Sequence, residues 1–400
     1  MKIKRRDFLK GSAAWVVGCA AGCRTATRRS TYSVPLLGDV HYDRPPIDTF
    51  HSAFRAKHVT DGMFDAYRGE FESFSSMWGQ VGMSAALIAA SGKVRRSDAA
   101  FALQLGDLIE GDCESPETHA RMLSGALALM KLTYGDIPFL TVAGNHDVRQ
   151  GAHRQGEFEN YRRDICAWHS RELGRAVDNL TFSFWNGPDL WIVADYNRPD
   201  FKLVEKLLSE NGDARYTVFC THGAVLTNGN RDPRCWFFLG RPQYSVVTGR
   251  KLSWEELDAE IPVWDSARRR VRRLLSARDA IVLSGHSHRL ELRDWYGDGG
   301  RITEFVMNSV TRTVKGNDIS GIPVVIGDKP SDFGRCRVNS ATKPNAVVDA
   351  LYAEYEQGMK RYYTADAAGH AELIFSDDGV RANYYGLDSL APCATFTIRG

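Results

Sequence analysis

The sequence predicts an α/β fold, and three observations support that prediction. Short runs of almost continuous apolar residues alternate with segments whose apolar residues recur at helical spacing, a pattern typical of layered helices and sheets. Polar motifs containing glycine follow the end of almost every apolar run. The 400 residues, 43% of them hydrophobic, are enough to bury a large core. Because α/β sheets form ligand sites at the carboxyl ends of their strands, we expect the polar motifs to form such a site.

The first half of the chain is expected to contain three strands and two helices. Each predicted strand is a short apolar run, such as AFALQL, and each predicted helix has its apolar residues on one side. In the second helix, for example, Met122, Ala126 and Met130 share one side. The predicted strands are 33–38, 100–105 and 138–143, and the predicted helices are 81–97 and about 117–133.

The second half continues the alternation and adds two hairpins. The Asn-Gly pair at 186–187 favours a hairpin turn within residues 180–196. The motif GDGG favours a second hairpin, between the apolar stretches RLELRDWY and RITEFVMN. The remaining predicted elements are helices at 201–210 and 264–278 and strands at 216–220 and 280–284.

We expect residues 311–400 to form a small α+β extension packed on a core domain of residues 32–310. The extension contains a predicted helix at 346–363. An Asp-Asp-Gly sequence marks the turn of a predicted hairpin at 371–386. Residues 394–398 are expected to form one more strand.

The first 23 residues have the character of an export signal. They begin with basic residues, including the adjacent Arg5 and Arg6, and continue with small apolar residues to Cys19 and Cys23. The paired arginines resemble a twin-arginine signal, and the sequence VVGC resembles a lipoprotein cleavage site that would leave Cys19 lipidated. Cys23 is the second choice, and an uncleaved anchor or a plain cleaved signal are the alternatives. We therefore expect an exported protein of the periplasm or cell envelope.

The charge balance does not favour a nucleic-acid partner. The whole chain has a formal net charge of +2, and residues 1–23 contain five basic residues and one acidic residue, so the remainder carries about −2. Because the excess of basic residues belongs to the signal, no nucleic-acid polymer is expected as a partner. The body of the chain has no apolar run of about 18 residues. Membrane contact is therefore expected only through an N-terminal lipid anchor.

Six cysteines lie beyond the signal, and the sequence leaves their pairing open, since six can pair in many ways. No CxxC pair is present, which argues against a thiolate metal site. Cys220 follows the apolar run TVF and is expected to be a buried thiol. The six are Cys113, Cys166, Cys220, Cys235, Cys336 and Cys393.

Five polar motifs follow predicted strands. Taken singly they are weak signals, because a Gly-Asp pair is usually a turn and a lone His222 is more often a buried structural residue. Together they place five of the 11 histidines at strand ends, beside carboxylates and an amide. These donors, with no thiolate among them, suit Mn, Fe, Zn or a similar divalent ion. The motifs are Asp39-x-His41, Gly106-Asp107, Gly144-Asn145-His146-Asp147, His222 and Gly285-His286-x-His288.

The last motif raises the question of where its two histidines point. His286 and His288 are two residues apart at the end of the run IVLS. In an extended chain such residues project to the same side, so both imidazoles are expected to converge on one centre.

In this order the five motifs resemble those of the calcineurin-like metallophosphoesterase superfamily, over about residues 32–310. The resemblance implies a four-layer αββα sandwich that binds two divalent metal ions. It also implies their ligands by position, with one carboxylate shared: Asp39, His41, Asp107 and His288 for one ion, and Asp107, Asn145, His222 and His286 for the other.

The resemblance further implies metal-dependent hydrolysis of a phosphomonoester or phosphodiester. Two cations close together acidify a bridging water, and the resulting hydroxide attacks phosphorus. His146 would assist the leaving group by giving it a proton. Glu110 matches the acidic position that orients this histidine in related phosphatases. Asp147 completes the candidate catalytic set, and we expect it to fix the loop.

Two insertions are the clue to the substrate. Residues 44–80 and 224–264 follow ligand-bearing motifs, so they should overhang the metal ions. The second is rich in arginine and aromatic residues, which suit a small phosphorylated ligand with a planar or apolar part, unless they only pack the loop. A nucleotide, a glycerophosphodiester or a plain monoester would each fit. The residues in question are Arg231, Arg234, Trp236, Phe237, Phe238, Arg241 and Tyr244.

Two further alternatives concern the chemistry of the site. Purple acid phosphatases carry a metal-binding tyrosine where Glu110 stands, so an iron–tyrosinate centre is not expected. A catalytically silent binding or scaffold protein on the same fold is the alternative to an enzyme. Such members of the superfamily usually lack ligands, whereas here no ligand position is substituted.

Overall fold

The computed structural model describes most of the chain in separate ranges. The predictions for residues 1–23, 44–80 and 227–264 lie outside the described residues. The described residues are 31–42, 81–111, 115–148, 150–151, 154–155, 158–226, 266–267, 269–310, 325–326, 355, 357–365, 367–386 and 389–400.

The strands in the described part form two large sheets and a two-stranded ribbon. We number them in chain order. They are β1 (Tyr32–Leu37), β2 (Ala102–Gln104), β3 (Phe139–Thr141), β4 (Gln150–Gly151), β5 (Arg154–Gln155), β6 (Phe182–Asn186), β7 (Asp189–Ala194), β8 (Thr217–Thr221), β9 (Ile281–Ser284), β10 (Leu290–Gly297), β11 (Gly300–Val306), β12 (Val325–Ile326), β13 (Met359–Ala365), β14 (Gly369–Ser376), β15 (Gly379–Gly386) and β16 (Ala394–Arg399).

The helices begin and end where the local sequence favours it. Before the second helix, the Ser115 side chain accepts a hydrogen bond from the Thr118 N–H, and Pro116 occupies the first turn. Gly135, with φ of 66°, ends that helix. The helices are α1 (Val81–Val94), α2 (Pro116–Tyr134), α3 (Phe158–Leu173), α4 (Phe201–Glu210) and α5 (266–277, of which residue 268 is not described).

Both large sheets combine parallel and antiparallel strands: the parallel strands lie in the middle of the larger sheet and at one side of the smaller one. The smaller sheet has the order β16-β15-β14-β1-β2-β3, in which β1, β2 and β3 are parallel. The larger sheet has the order β12-β13-β10-β11-β9-β8-β7-β6, in which β7, β8, β9 and β11 are parallel. The carboxyl ends of the parallel strands are therefore the natural place for a site.

The two sheets pack face to face over a shared core. Alternate residues of β1 and β7 point into it, namely Tyr32, Val34 and Leu36 from one sheet and Trp191 and Val193 from the other. This alternation follows from the two-residue period of a strand. The contacting faces bury large aromatic and aliphatic side chains, which accounts for the apolar character of both strands.

The opposite faces of the sheets are covered by helices. Ala102 of β2 belongs to a second core with Met122 of α2. Phe219 of β8 belongs to a third core with Val204 of α4 and Val271 of α5. Three cores separate four layers, so the predicted αββα sandwich is confirmed.

Most predicted elements are confirmed, but the predicted helix at 346–363 is wrong from residue 359 onwards. Residues 355, 357 and 358 are helical, and residues 359–365 form β13. There the chain pairs antiparallel with β10, from Leu290 opposite Ala365 to Trp295 opposite Met359. Pairing with β10 therefore overrides the helical spacing of apolar residues on which the prediction was based.

Helix α3 is absent from the sequence prediction. Its buried side is formed by Phe158, Tyr161, Ile165, Cys166 and His169. These positions recur at helical spacing, but two aromatic rings, a thiol and an imidazole replace the aliphatic residues that usually mark such a stripe. The helix was therefore missed because of the types of its buried residues, although their spacing is helical.

The segment after residue 310 contributes strands to both sheets. Strand β13 lies beside β10 in the larger sheet, and β14 pairs antiparallel with β1 in the smaller one. The predicted hairpin with Asp377-Asp378-Gly379 at its turn is confirmed as β14 and β15, and the strand predicted at 394–398 is β16. The proposed division of the chain at residue 310 remains a prediction.

Three of the six cysteines beyond the signal lie in the described part of the chain. Cys166 and Cys220 are buried free thiols, and Cys393 is an exposed one. The prediction for Cys220 is confirmed. Among the described residues, no helix is both long and apolar enough to cross a membrane.

Candidate metal centre

The predicted polar motifs lie together at the carboxyl edge of the parallel strands. Asp39 and His41 follow β1, Asp107 follows β2 and Asn145 follows β3 in the smaller sheet. In the larger sheet His222 comes directly after β8, and two further histidines follow β9. Both sheets therefore contribute side chains to one site between their ends.

Several candidate ligands have an unusual backbone conformation. A φ in the left-handed region is uncommon for residues with a Cβ and costs of order 1–3 kcal/mol at each position. His286 and His288 lie in such a turn, so the extended chain from which their direction was predicted is not present, although both imidazoles do belong to the groups of candidate ligands. The four ligands with positive φ are His41 (47°), Asp107 (53°), His286 (66°) and His288 (50°).

Two glycines allow the ligands to approach one another. Gly106 has a φ of 93°, and a Cβ there would lie 2.4 Å from His222 Nδ1. A Cβ on Gly144 would lie 2.1 Å from the backbone nitrogen of Asp107. Either methyl group would push a candidate ligand out of place, so both positions require glycine.

Asp39, His41 and His288 form a first group of donor atoms. Asp39 Oδ2 lies 2.9 Å from His288 Nε2, which lies 3.2 Å from His41 Nε2. The backbone N–H of His286 donates to Asp39 Oδ1 at 3.0 Å and fixes the carboxylate. His41 Nδ1 lies 3.0 Å from Glu110 Oε2. A carboxylate only accepts, so this contact favours a proton on Nδ1 and leaves the Nε2 lone pair for a cation.

Asp107, His222 and His286 form a second group, with Asn145 beside them. His222 Nε2 lies 3.2 Å from Asp107 Oδ2, 3.1 Å from Asn145 Oδ1 and 2.9 Å from His286 Nδ1. His222 Nδ1 donates to the Leu105 carbonyl at 2.8 Å. This bond sets the tautomer, so Nε2 is the atom that is available to a cation.

The donor atoms of the two groups fit divalent cations. Carboxylate, amide and imidazole atoms with lone pairs face one another at 2.9–3.2 Å, and a cation at the centre of each group would satisfy them together. Asp107 Oδ2 also lies 3.9 Å from His41 Nε2, which puts this carboxylate between the groups. A third set, overlapping the first two, consists of His41, Asp107 and His146.

Glu110 lies between two histidines. Its Oε1 is 2.9 Å and its main-chain carbonyl 3.0 Å from His146 Nδ1, while its Oε2 faces His41. Glu110 is buried, and the His146 side chain keeps 17% of its surface exposed. The His146 backbone N–H donates to Asp107 Oδ1 at 2.7 Å. A buried carboxylate thus orients the partly exposed imidazole of His146.

Asp147 holds the loops together. Its carboxylate accepts hydrogen bonds from the Gly144 N–H (2.8 Å) and the Ile109 N–H (3.0 Å), which belong to the loops after β3 and β2. On the other side, the ring of His119 in α2 lies 2.8 Å from the Asp147 carbonyl. Both carboxylate oxygens of Asp147 therefore bind the backbone of the turns that carry Asp107 and Asn145.

With this geometry established, comparison with known proteins identifies the family. The family model described as calcineurin-like phosphoesterase matches residues 34–290, which is more than half of the chain. The chain belongs to this family. The enzymes of this family are metal-dependent phosphoesterases, and the matched range includes every residue of the two donor groups.

Three solved structures are similar to this phosphoesterase over most of the chain. The structure of PhoD is 11% identical, with a TM-score of 0.46, covering 92% of this chain and 68% of the other. A purple acid phosphatase from yellow lupin (Lupinus luteus) seeds is 12% identical, with a TM-score of 0.48, covering 92% of this chain and 54% of the other. A dimetal phosphatase from Danio rerio is 12% identical, with a TM-score of 0.45, covering 92% and 99%. No curated protein matches the sequence.

The carboxylates and imidazoles of the phosphoesterase shift one another's pKa values. Burial alone raises the pKa of Asp107, but the neighbouring His222 and His146 lower it well below its usual value. Burial lowers the pKa of His222, but Asp107 and Asp39 raise it to about 9 overall. His41, buried beside Glu110, also has its pKa raised to about 9. A proton and a cation compete for the same lone pair, so cation binding should release protons.

Three residues near the candidate metal ligands were not predicted from the sequence. The Tyr196 ring lies 5.5 Å from the rings of both His222 and His286. The Asn197 side-chain amide donates to the Gly144 carbonyl at 3.0 Å, and Asp195 accepts the Asn197 N–H at 2.9 Å. All three follow β7 in the same way that the predicted motifs follow their strands. Their position after an apolar run was the signal that could have identified them.

Proposed function

We propose that this phosphoesterase hydrolyses the phosphomonoester or phosphodiester of a small molecule with two divalent cations such as Mn, Fe or Zn. The observation that carries the proposal is the convergence of lone-pair atoms in two groups on either side of Asp107. When bound, the cations would acidify a water molecule and neutralise the oxygens of the phosphate. The remaining tasks fall to the chain's own residues.

Asp107 is suited to serve both groups. Its Oδ2 lies 3.2 Å from His222 Nε2 and 3.9 Å from His41 Nε2, so one carboxylate faces a ligand of each group. Its Oδ1 accepts the His146 N–H, which fixes the plane of the carboxylate. We propose that Asp107 is the shared ligand and that its charge offsets the charge of the cations.

His146 is suited to give a proton to the leaving oxygen. Its Nδ1 faces Glu110, so its Nε2 lies at the opposite end of the ring. The Glu110 carboxylate would stabilise the imidazolium, which can then donate from Nε2. We propose this role for His146, with Glu110 as its orienting partner and Asp147 as the residue that fixes their loop.

The exposed side of the centre supports a route for the substrate. His146 and His288 keep 17% and 27% of their side-chain surface exposed, whereas Asp39, Asp107 and His222 are at most 1% exposed. We therefore propose that the phosphate approaches between His146 and His288. The two insertions, which we predicted to overhang the metal ions, lie almost entirely outside the described residues, so the choice among nucleotides, glycerophosphodiesters and simple monoesters remains a prediction.

A two-substrate assay tests the proposal. Purified protein, reconstituted with Mn²⁺ and assayed for bound metal, would be given p-nitrophenyl phosphate and bis-(p-nitrophenyl) phosphate. We expect hydrolysis that depends on Mn²⁺ and is abolished by a chelator, and the ratio of the two rates distinguishes a monoesterase from a diesterase. Protein that binds two equivalents of metal but hydrolyses neither these esters nor nucleotides would instead support the scaffold alternative.

We also propose that the protein is exported to the periplasm or cell envelope, with a lipid anchor at Cys19 as the first choice. The proposal is supported by the basic start, the paired Arg5 and Arg6, and the small apolar residues that precede the cysteine. Cell fractionation of a strain that expresses the full chain would test it. Protein found in the soluble cytoplasm at full length would contradict it.

A further inference from the structure

The loops that carry His222 and His286 meet at one buried side chain, Glu304 of β11. This strand pairs with β9 on one side and with β10 on the other. Ile302, two residues before Glu304, belongs to the core between the larger sheet and its helices. Because residues two apart in a strand share a face, Glu304 lies on that covered face, and it is 0% exposed.

Glu304 accepts hydrogen bonds from two segments, one that follows His222 and one that precedes His286. Its Oε1 accepts the Val225 N–H at 2.6 Å and its Oε2 accepts the Leu226 N–H at 3.0 Å, just after His222. The Ser284 hydroxyl donates to Oε1 at 3.2 Å, two residues before His286. One carboxylate thus connects the end of β9 with the segment that follows β8.

Arg293 of β10 completes the arrangement. Its Nη1 donates to Glu304 Oε2 at 3.1 Å and to the Leu226 carbonyl at 2.6 Å, and its guanidinium also contacts Glu291. Arg293 is fully buried, like Glu304. Both the N–H and the C=O of Leu226 are therefore bound to charged side chains.

Stability alone does not account for these charges. Removing charged groups from water is costly, and apolar residues of similar volume often serve a core as well or better. An apolar residue at 304 could not bind the Val225 and Leu226 amides, so the segment after His222 would lose its fixed position. The distance between His222 Nε2 and His286 Nδ1, 2.9 Å, depends on the same two loops.

We propose that Glu304 is a positioning residue for the metal centre, which holds His222 and His286 at the separation that a cation requires. Metal sites need their ligands held to within about 0.5 Å, and such precision comes from residues that support the ligands. The inference rests on the proposed metal-dependent function. It assigns to Glu304 a role at a distance, through the backbone of two loops and without contact with the substrate.

Glu304→Gln is the test variant, since glutamine keeps the size of the side chain but loses the charge and one acceptor oxygen. Glu372→Gln is the matched control, because Glu372 of β14 is 2% exposed and accepts the Arg96 N–H at 3.0 Å in the other sheet. Wild-type and variant proteins would be stripped with a chelator and titrated with Mn²⁺ by calorimetry. Thermal unfolding of the stripped proteins would be measured in parallel.

We expect the wild type and Glu372→Gln each to bind two Mn²⁺ equivalents, and we expect each equivalent to have the same affinity in both proteins. In Glu304→Gln one equivalent should bind about 10–100-fold more weakly, the range found for residues that support ligands, while the other keeps its affinity. High Mn²⁺ should restore the activity of Glu304→Gln, which a purely structural defect would not allow. If Glu304→Gln does not fold, Ser284→Ala should weaken the same equivalent by about tenfold, since it removes one hydrogen bond to a charged group.

Wild-type affinity for both equivalents in a folded Glu304→Gln would overturn the inference, as would equal weakening in Glu304→Gln and Glu372→Gln. Wild-type affinity for both equivalents in Ser284→Ala would overturn it if that variant has to be used. A wild type that never binds more than one Mn²⁺ would contradict the proposed function itself, and the inference with it. The wild-type titration therefore separates the two failures.

Discussion

The two ends of the sandwich carry buried polar clusters of opposite character. At the amino ends of β1 and β7, the Asp189 carboxylate accepts hydrogen bonds from the Tyr32 hydroxyl at 2.8 Å and the Tyr216 N–H at 3.2 Å. It also accepts two from the Arg215 guanidinium, at 2.9 and 2.6 Å. Each contact in this cluster joins a donor to an acceptor.

At the carboxyl ends of the neighbouring parallel strands β2, β3 and β8, acceptors face acceptors. Asp107 Oδ2 and Asn145 Oδ1 both lie within 3.2 Å of His222 Nε2, whose partner nitrogen is bound to a carbonyl. An arrangement of this kind needs a proton or a cation to hold it together. The difference separates a structural cluster, which is complete in itself, from a functional one, which requires something the chain does not contain.

The largest effect that tests this difference between the two clusters is expected when the carboxylate shared by both donor groups is changed. Asp107→Asn keeps the shape but removes the charge, so metal content and activity should be lost together. The affinity for metal should fall by more than about 100-fold, because even residues that only support ligands cost 10–100-fold. Elemental analysis and the phosphoester assay would measure both quantities. A variant that keeps two ions would contradict the assignment of Asp107 as the shared ligand.

The next largest effect is expected at His146, which separates chemistry from metal binding. His146→Ala should lower turnover by about 10²–10⁴-fold, the range for a residue that transfers a proton, while two ions remain bound. Turnover number and metal content would be measured on the same preparation. Loss of metal in this variant would mean that His146 acts as a ligand, in the overlapping set with His41 and Asp107.

The candidate site could largely be predicted from the sequence because its chemistry is local. Asp39-x-His41 and Gly144-Asn145-His146-Asp147 each bring donors together within a few residues of a strand end. Contacts between motifs could not be predicted, such as that of Glu110 with both His41 and His146, because they depend on how loops from different strands meet. Tyr196 was missed because it belongs to none of the five motifs, although it also follows the end of a strand.

For the fold, the sequence was sufficient where spacing and residue type agreed. Helix α2 has aliphatic residues along one side, a serine cap and a terminal glycine, and it was predicted almost to the residue. Helix α3 has the same spacing with aromatic, thiol and imidazole groups and was missed. Strand β13 was taken for helix because its pairing with β10, which no local pattern encodes, decides its structure.

A pH titration sharpens the comparison with a smaller effect. His41 and His222 have their pKa values raised to about 9 in the folded chain, against an ordinary value of 6.5. The folded state therefore binds these protons more tightly, which stabilises it fully below pH 6.5 and progressively less as the pH rises to about 9. Asp147, whose pKa is raised from 3.8 to about 7 by burial and by Asp107, acts in the same sense over a lower interval, which ends near pH 7.

The chelator-treated protein should therefore lose stability between pH 6.5 and 9, while its affinity for Mn²⁺ rises over the same interval. Denaturant unfolding and calorimetry at several pH values would measure the two trends. The amino-end cluster should not contribute, because burial and Asp189 raise the pKa of Tyr32 above its usual value of 10 and the hydrogen bond to Asp189 raises that of Arg215. Stability that is constant from pH 6.5 to 9 would argue against tightly bound protons at the carboxyl edge.

The smallest effect on activity is expected at the amino end, where the same substitution type should act on stability alone. Asp189→Asn removes the charge that Arg215 binds and should lower the free energy of unfolding by roughly 1.5–3 kcal/mol, the range for hydrogen bonds to charged groups. Metal content and turnover should stay at wild-type levels, because the residues of this cluster lie at the amino ends of the strands, whereas the candidate metal ligands lie in loops at the carboxyl ends. Asp107→Asn, in contrast, should lower metal content and turnover. If Asp189→Asn also released metal, the two clusters would be coupled through β7 and β8, and donor–acceptor balance would not be enough to tell a structural cluster from a functional one.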